Sequence, residues 1–202
     1  MRFFHAFHKK NSSPAASILN GSFIFEIVKT VVIATAIVLV VRYFLIQPFY
    51  VKGASMEPNF YDQEYLVIDE ISYRLSTPVR GDVVVIHYPR DRSQFFIKRL
   101  IGLPGETVDI RNDEVMITTA QGDIILHEPY LSNDARTTGT YRATLASDEY
   151  FVMGDNRTAS LDSRVFGPVN ESDIVGRAWV RVWPFARFTF FQRQTYNIEL
   201  AP

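Results

Sequence analysis

Residues 81–103 read GDVVVIHYPRDRSQFFIKRLIGL. Two short runs rich in β-branched and aromatic residues, Val83 to Tyr88 and Phe95 to Ile101, have strand length, and helical periodicity is nearly absent. Turn signals bracket them, Arg80-Gly81-Asp82 before and Leu103-Pro104-Gly105 after. The same pattern extends outward. Further runs lie at Tyr65 to Ile68, Thr107 to Ile110, Val115 to Thr118, Ile124 to Leu126, Tyr150 to Met153 and Ile174 to Trp183, with turns at Gln121-Gly122-Asp123 and Gly154-Asp155-Asn156. This spacing predicts a mainly β fold, an antiparallel sheet or barrel. The segment 111–147 is more polar than its surroundings and is expected to be a smaller inserted β subdomain or an excursion from the main sheet.

Upstream the grammar changes. From Ile24 to Ile46 the chain reads IFEIVKTVVIATAIVLVVRYFLI, about the ~20 residues that a bilayer-spanning helix needs, with no charge from Thr30 to Val41. Lys29 and Arg42 lie where their stems can snorkel to headgroups, and Glu26 falls within a turn of Lys29. A cleavable signal peptide would need a small-residue junction, and only Gly53 and Ala54, after Lys52, offer one. The reading is therefore a retained helix over 24–46, behind a basic tail over 1–23 that carries Arg2, Lys9 and Lys10 and no acid. Three basic residues before the span against Lys52 after it place the N-terminus in the cytoplasm and residues 47–202 outside.

Composition narrows the function classes. The chain has 202 residues, 47% of them hydrophobic, enough for one core with an appendage. Its formal net charge of -1 lacks the basic footprint of a nucleic-acid binder. With no cysteine, thiol nucleophiles, Cys-zinc sites and disulfides are excluded.

Of the exterior groups, His87 and His127 are the two histidines, each on or beside an expected strand, where a structural role suits them. No histidine pair has zinc-ligand spacing, and neither a phosphate loop nor a Gly-x-Ser-x-Gly elbow occurs. Lysine is scarce outside: Lys52 and Lys98 only. Strand alternation puts Lys98 on the face of Phe96 and Leu100. Two readings stand, a side chain snorkelling beside Arg99 or a general base whose ammonium is disfavoured by burial. At an ordinary pKa of ~10.4 only roughly one lysine in 2,500 is neutral at pH 7, and a downward shift of ~3 units makes it about one in three. The best nucleophile candidate is Ser55, in Val51-Lys52-Gly53-Ala54-Ser55-Met56-Glu57-Pro58, where small neighbours leave room for a substrate. At ~3.3 to 3.6 Å per residue it lies within ~30 Å of the end of the helix, so its substrate should be at or in the membrane.

Four blocks then stand in order behind one anchor. They are Gly53-Ala54-Ser55-Met56-Glu57-Pro58, Gly81-Asp82-Val83-Val84-Val85, Lys98-Arg99-Leu100-Ile101-Gly102-Leu103-Pro104-Gly105-Glu106, and Gly154-Asp155-Asn156-Arg157-Thr158-Ala159-Ser160-Leu161-Asp162-Ser163-Arg164. The chain resembles a type I signal peptidase. The resemblance implies a Ser55 nucleophile and a Lys98 general base working through an acyl-enzyme without metal or cofactor. It further implies Ser160 as a hydroxyl that orients the lysine, Asp162 with Arg164 as a supporting charged pair, and Asp155 and Arg157 as structural turn residues. The Ser55 backbone N–H is the first oxyanion donor. The second is open between a backbone N–H, with Gly53 as the candidate, and a bound water, because Gly53 stands where many members carry a serine. Val51, Met56, Phe96 and Ile97 match positions lining the family's substrate cleft, or are ordinary core. The implied partners are secretory preproteins, cleaved after small residues at -1 and -3, and the lipid bilayer of a bacterial plasma membrane, with the enzyme acting as a monomer. The aromatic cluster Trp179, Trp183, Phe185, Phe188, Phe190 and Phe191 is expected to be shared between core and a surface that dips into the interface.

Two other classes remain. A self-cleaving Ser/Lys repressor would carry a DNA-binding helix-turn-helix in place of the span. A tethered binding module would show erosion at 55, 98, 160 or 162, and all four positions are intact. The Asn-x-Ser/Thr triplets at Asn11, Asn156 and Asn170 are chance matches to a glycosylation acceptor.

Overall fold

The computed structural model describes residues 21–44, 47–193, 196 and 199–200. The first unit is helix α1, Gly21–Phe44. At ~1.5 Å per residue its 24 residues exceed a ~30 Å hydrocarbon core. From Gly21 to Leu39 it is exposed, and beyond Thr30 its side chains are apolar on every side apart from Thr35, as suits lipid and not a protein core. Lys29 reaches back to Glu26 at 3.8 Å, and the Thr30 hydroxyl donates to the Glu26 carbonyl, so polar groups near one end are internally engaged. The helix begins at Gly21, three residues before the expected span. Leu45, Ile46 and residues 1–20 of the basic tail lie outside the described residues.

The second unit is β-rich. In chain order it comprises β1 Gln47–Tyr50, β2 Tyr65–Asp69, α2 Ser72–Leu75, β3 Val83–Tyr88, β4 Asp91–Gly102, β5 Thr107–Arg111, β6 Glu114–Thr119, β7 Gly122–Ile125, β8 Tyr141–Thr144, β9 Glu149–Met153, α3 Ser163–Phe166, β10 Val169–Asn170, β11 Ile174–Trp183, β12 Thr189–Phe190 and β13 Glu199–Leu200. The main sheet runs β1-β2-β11-β3-β4-β9-β10 with β12 on β11, and a five-stranded sheet runs β13-β7-β6-β5-β8. Every strand pair is antiparallel. The second sheet is the expected excursion, but it starts at Thr107 and not near residue 111, because β5 already pairs with β6 and β8.

The eight predicted runs are all strands. β4 begins at Asp91, four residues before the predicted run, because Tyr88 pairs with Asp91 and a hairpin forms from polar residues that project beyond the core. β1 was not predicted. Pro48 breaks its strand pattern, yet β1 lies at the sheet's edge, where a missing N–H is tolerated.

Alternation along β3 divides the core. Val83 and Val85 pack with Met56, Phe60, Leu66 and Ile68, whereas Val84 and Ile86 pack with Leu100, Tyr150 and Val152 on the other side. A third cluster, including Ile101, Val108, Ile117, Phe151 and Met153, joins β4 and β9 to the second sheet. β4 therefore touches every core, and it carries Lys98 and Arg99 in its middle.

Candidate active site

Ser55 sits on a tight turn after β1. Met56 and Phe60 are buried, each 1% exposed, and the N–H groups of Asn59 and Phe60 both donate to the Met56 carbonyl, so two apolar pegs fix the loop. Asn156 N–H donates to the Ser55 carbonyl at 3.0 Å from the opposite loop. Gly154 explains how that loop comes so close. A Cβ there would lie 2.4 Å from the Ser55 carbonyl oxygen and 2.2 Å from Ser160 Oγ, so no other residue fits without displacing one of them.

Lys98 is 3% exposed, and its Nζ lies 2.8 Å from Ser55 Oγ. It also donates to the Ile97 carbonyl at 2.9 Å and stands 5.3 Å from the centre of the Phe96 ring. Burial pulls its pKa from 10.5 down to about 8, while the carboxylates of Asp162 and Asp155 hold it from falling further. Ser55 can thus give its proton to an amine that is partly neutral at neutral pH. Among the described residues the Ser55 backbone N–H has no acceptor, which leaves it free for an oxyanion.

Asp162 is fully buried and caps α3 by accepting from Arg164 N. It also accepts from Gly154 N and from the Arg164 guanidinium through Nε and NH2. Burial pushes its carboxyl up, but the Arg164 bond and charge, the Gly154 N–H and the nearby Ser160 hydroxyl outweigh that and hold it below the usual carboxylate range. Arg164 in turn donates to the Arg157 carbonyl at 2.6 Å, so the supporting pair is tied to the neighbouring loop.

The remaining candidate residues are placed as follows. Ser160 Oγ is buried against Gly154 and, among the described residues, makes no well-formed hydrogen bond; the Ile97 carbonyl, not Ser160, holds Lys98. Gly53, at φ +85, has its N–H donated to Asp62 Oδ1 at 2.8 Å, so that donor is committed and Gly53 does not offer it to an oxyanion. Met56 is a core peg and does not line the cleft, whereas Val51, Phe96 and Ile97 do, beside Ser55 and Lys98 in a cavity of about 640 Å³. Asp155 and Arg157 are both buried and held by charged partners. Asp155 takes a bidentate pair from Arg99 at 2.8 and 2.6 Å, and Arg157 is buried against Glu128 and Thr137.

His87 stands apart from this constellation: its Nδ1–H donates to the Arg92 carbonyl at 2.7 Å, and its ring packs on Phe95. His127 is exposed. Sequence reasoning passed over Gly154 as a turn signal, over Asp62, and over Phe49, Leu66 and Val85, which also line the cavity. A glycine needed for close approach looks the same in sequence as one needed for a turn.

A serine hydroxyl against a buried lysine amine, beside a free N–H donor and a long cavity, is equipment for acyl transfer without histidine, the class of a serine hydrolase. The family described as signal peptidase, peptidase S26, matches residues 24–183. Signal peptidase IB of Staphylococcus aureus is 32% identical over 83% of this chain and 93% of its own length. Signal peptidase I U of Bacillus subtilis is 34% identical over 79% of this chain and 87% of its own. A crystal structure of a signal peptidase I from Enterococcus faecalis is 35% identical and covers 50% of this chain and 97% of that one, with a TM-score of 0.43. The chain belongs to the signal peptidase family, peptidase S26, and is a serine peptidase related to the type I enzymes.

Proposed function

We propose that this protein removes signal peptides from secretory preproteins at a bacterial plasma membrane, cutting after small residues at -1 and -3, with Ser55 as nucleophile and Lys98 as general base. The observation that carries the reading is the 2.8 Å approach of the buried Lys98 amine to Ser55 Oγ. Neutral Lys98 accepts the Ser55 proton as Oγ attacks the scissile carbonyl, and the oxyanion forms at the Ser55 N–H. The ammonium then protonates the leaving amine, and the regenerated amine activates the water that hydrolyses the acyl-enzyme. All groups in this scheme come from one chain, in keeping with a monomer. The apolar floor of Val51, Phe96 and Ile97 suits the small side chains of a signal-peptide end.

In this reading α1 anchors the enzyme with its N-terminus in the cytoplasm. A second feature favours a membrane setting: Tyr50, Tyr65 and Trp183, paired across three neighbouring strands, form an exposed row, and Trp179, Phe185, Phe188 and Phe190 extend it. Aromatic side chains of this kind are enriched at headgroup level. Of the six residues assigned to that cluster, Phe191 alone is half-buried, its ring tilted against that of Phe60 with centres 4.6 Å apart.

The test is cleavage of a purified preprotein in detergent by wild type, Ser55→Ala and Lys98→Ala, with N-terminal sequencing of the product and a folding check on each. Cleavage at the signal-peptide junction, lost in both folded variants, is the expected result. A wild type inert on several good preproteins would favour a tethered binding module, and an active Lys98→Ala would return His87 or His127 to consideration.

A further inference from the structure

The cavity at Ser55 has a neighbour of about 300 Å³. The two are joined by both loops of the active site. Gly53 and Ser55 line the first cavity, and Glu57 and Pro58 line the second; Ala159 and Leu161 line the first, and Asn156 and Thr158 the second. The Asn156-to-Ser55 backbone bond is the strap between them. A peptide whose acyl side fills the apolar first cavity, with its scissile carbonyl at Ser55 Oγ, leaves across this strap. Glu57 is two residues beyond Ser55, a reach of at most ~7 Å, or about two extended residues of substrate.

The two cavities differ in character. The first has an apolar floor, whereas the second is walled by polar and charged side chains, and their charges do not cancel. Arg157 is engaged by Glu128 and Asp155 by Arg99, both in buried pairs, whereas Arg136 is exposed and only 3.8 Å from an exposed Asp113. Glu57 and Asp134 have no ion-pair partner among the described residues, so even with Arg136 counted in full the lining keeps an excess of one negative charge.

We infer that this second cavity is a subsite for the first residues of the mature protein, at about +2 to +4, and that Glu57 and Asp134 make it favour lysine or arginine there and disfavour aspartate or glutamate. The inference rests on the proposed peptidase reading. It concerns specificity on the leaving side of the bond, which the -1 and -3 rule does not address.

The test uses the full-length enzyme in detergent and three preprotein-derived substrates, identical up to the cleavage site, with Lys, Gln or Glu at +2 and +3. For wild type at low ionic strength, kcat/KM is expected to be higher for Lys than for Glu by about fivefold or more, and the ratio shrinks as salt is added. Glu57→Gln and, separately, Asp134→Asn on its exposed loop should each narrow the Lys-to-Glu ratio, and Glu57→Lys with Asp134→Lys should invert it. Equal cleavage of the three substrates by wild type, or a ratio that the variants leave unchanged, overturns the subsite alone. Failure of wild type on all three overturns the peptidase reading and the subsite with it.

Discussion

Lys98 and Arg99 are adjacent on one strand, face opposite ways, and are almost equally buried, at 3% and 4% exposure. Their chemistry nevertheless diverges. Arg99 meets Asp155 through two bonds, donates to the Gly81 carbonyl and lies over the Tyr130 ring at 3.9 Å. Burial pulls its pKa down, but Asp155 more than restores it. Lys98 has no carboxylate in contact, only Ser55 Oγ and a carbonyl, and its pKa falls to about 8. Burial alone therefore does not decide whether a basic side chain keeps its proton; a bonded counter-charge does. One face of β4 holds its charge by pairing, and the other carries an amine that gives up its proton more readily.

The sharpest way to break this contrast is to make Lys98 resemble its neighbour. Lys98→Arg keeps a charge but cannot accept a proton at any working pH, so preprotein cleavage should fall ~10³- to 10⁴-fold with the fold intact by circular dichroism. Turnover near the wild-type rate would remove lysine from the base role.

Stability should separate the two residues by sign. Arg99→Met strands the Asp155 carboxylate in the core and is expected to cost ~3 to 5 kcal/mol in denaturant unfolding. Lys98→Met should stabilise the protein at pH 7 by up to about 3 kcal/mol. The sign follows from linkage: the folded-state pKa of about 8 lies below the ordinary 10.5, so the unfolded chain binds the proton more tightly. The penalty is full below pH 8 and vanishes as the pH rises to 10.5, so wild type and Lys98→Met should converge in stability over that range.

A pH profile sharpens the same point. Below about pH 8, kcat/KM should rise close to tenfold per unit as Lys98 loses its proton, and level off above it. A profile flat from pH 6 to 9 would show that the lysine proton does not limit the reaction. The smallest effect expected is that of Asp162→Asn. Its carboxylate raises the Lys98 pKa, so its loss should move the acidic limb of the profile to lower pH, even though the variant also loses the Arg164 pair and is less stable.

The strands legible in the sequence are those with alternating or continuous apolar runs, because burial imposes those patterns. β1 and β8 were not, since both are short edge strands and neither QPFY nor YRAT forms an apolar run. The candidates Ser55 and Lys98, singled out by residue type, lie 2.8 Å apart, whereas Asp162 was suggested only by the resemblance. The site was not legible where backbone atoms do the work. The Ile97 carbonyl, the Asn156 N–H and the commitment of the Gly53 N–H to Asp62 depend on loop conformation, to which residue identity is nearly indifferent. The buried Arg157–Glu128 pair escaped for a related reason: nothing in a turn-like stretch names the partner that a charged residue finds on a distant loop.

The loop from Gly154 to Leu161 closes over a serine and a lysine that come much earlier in the chain. Until that loop has been made and packed, the Ser55 carbonyl lacks its strap from Asn156 and the cavity lacks the wall that Ala159 and Leu161 supply. In the proposed reading, a copy lacking that loop lacks an assembled site, so the last-made part of the constellation sets when cutting can begin.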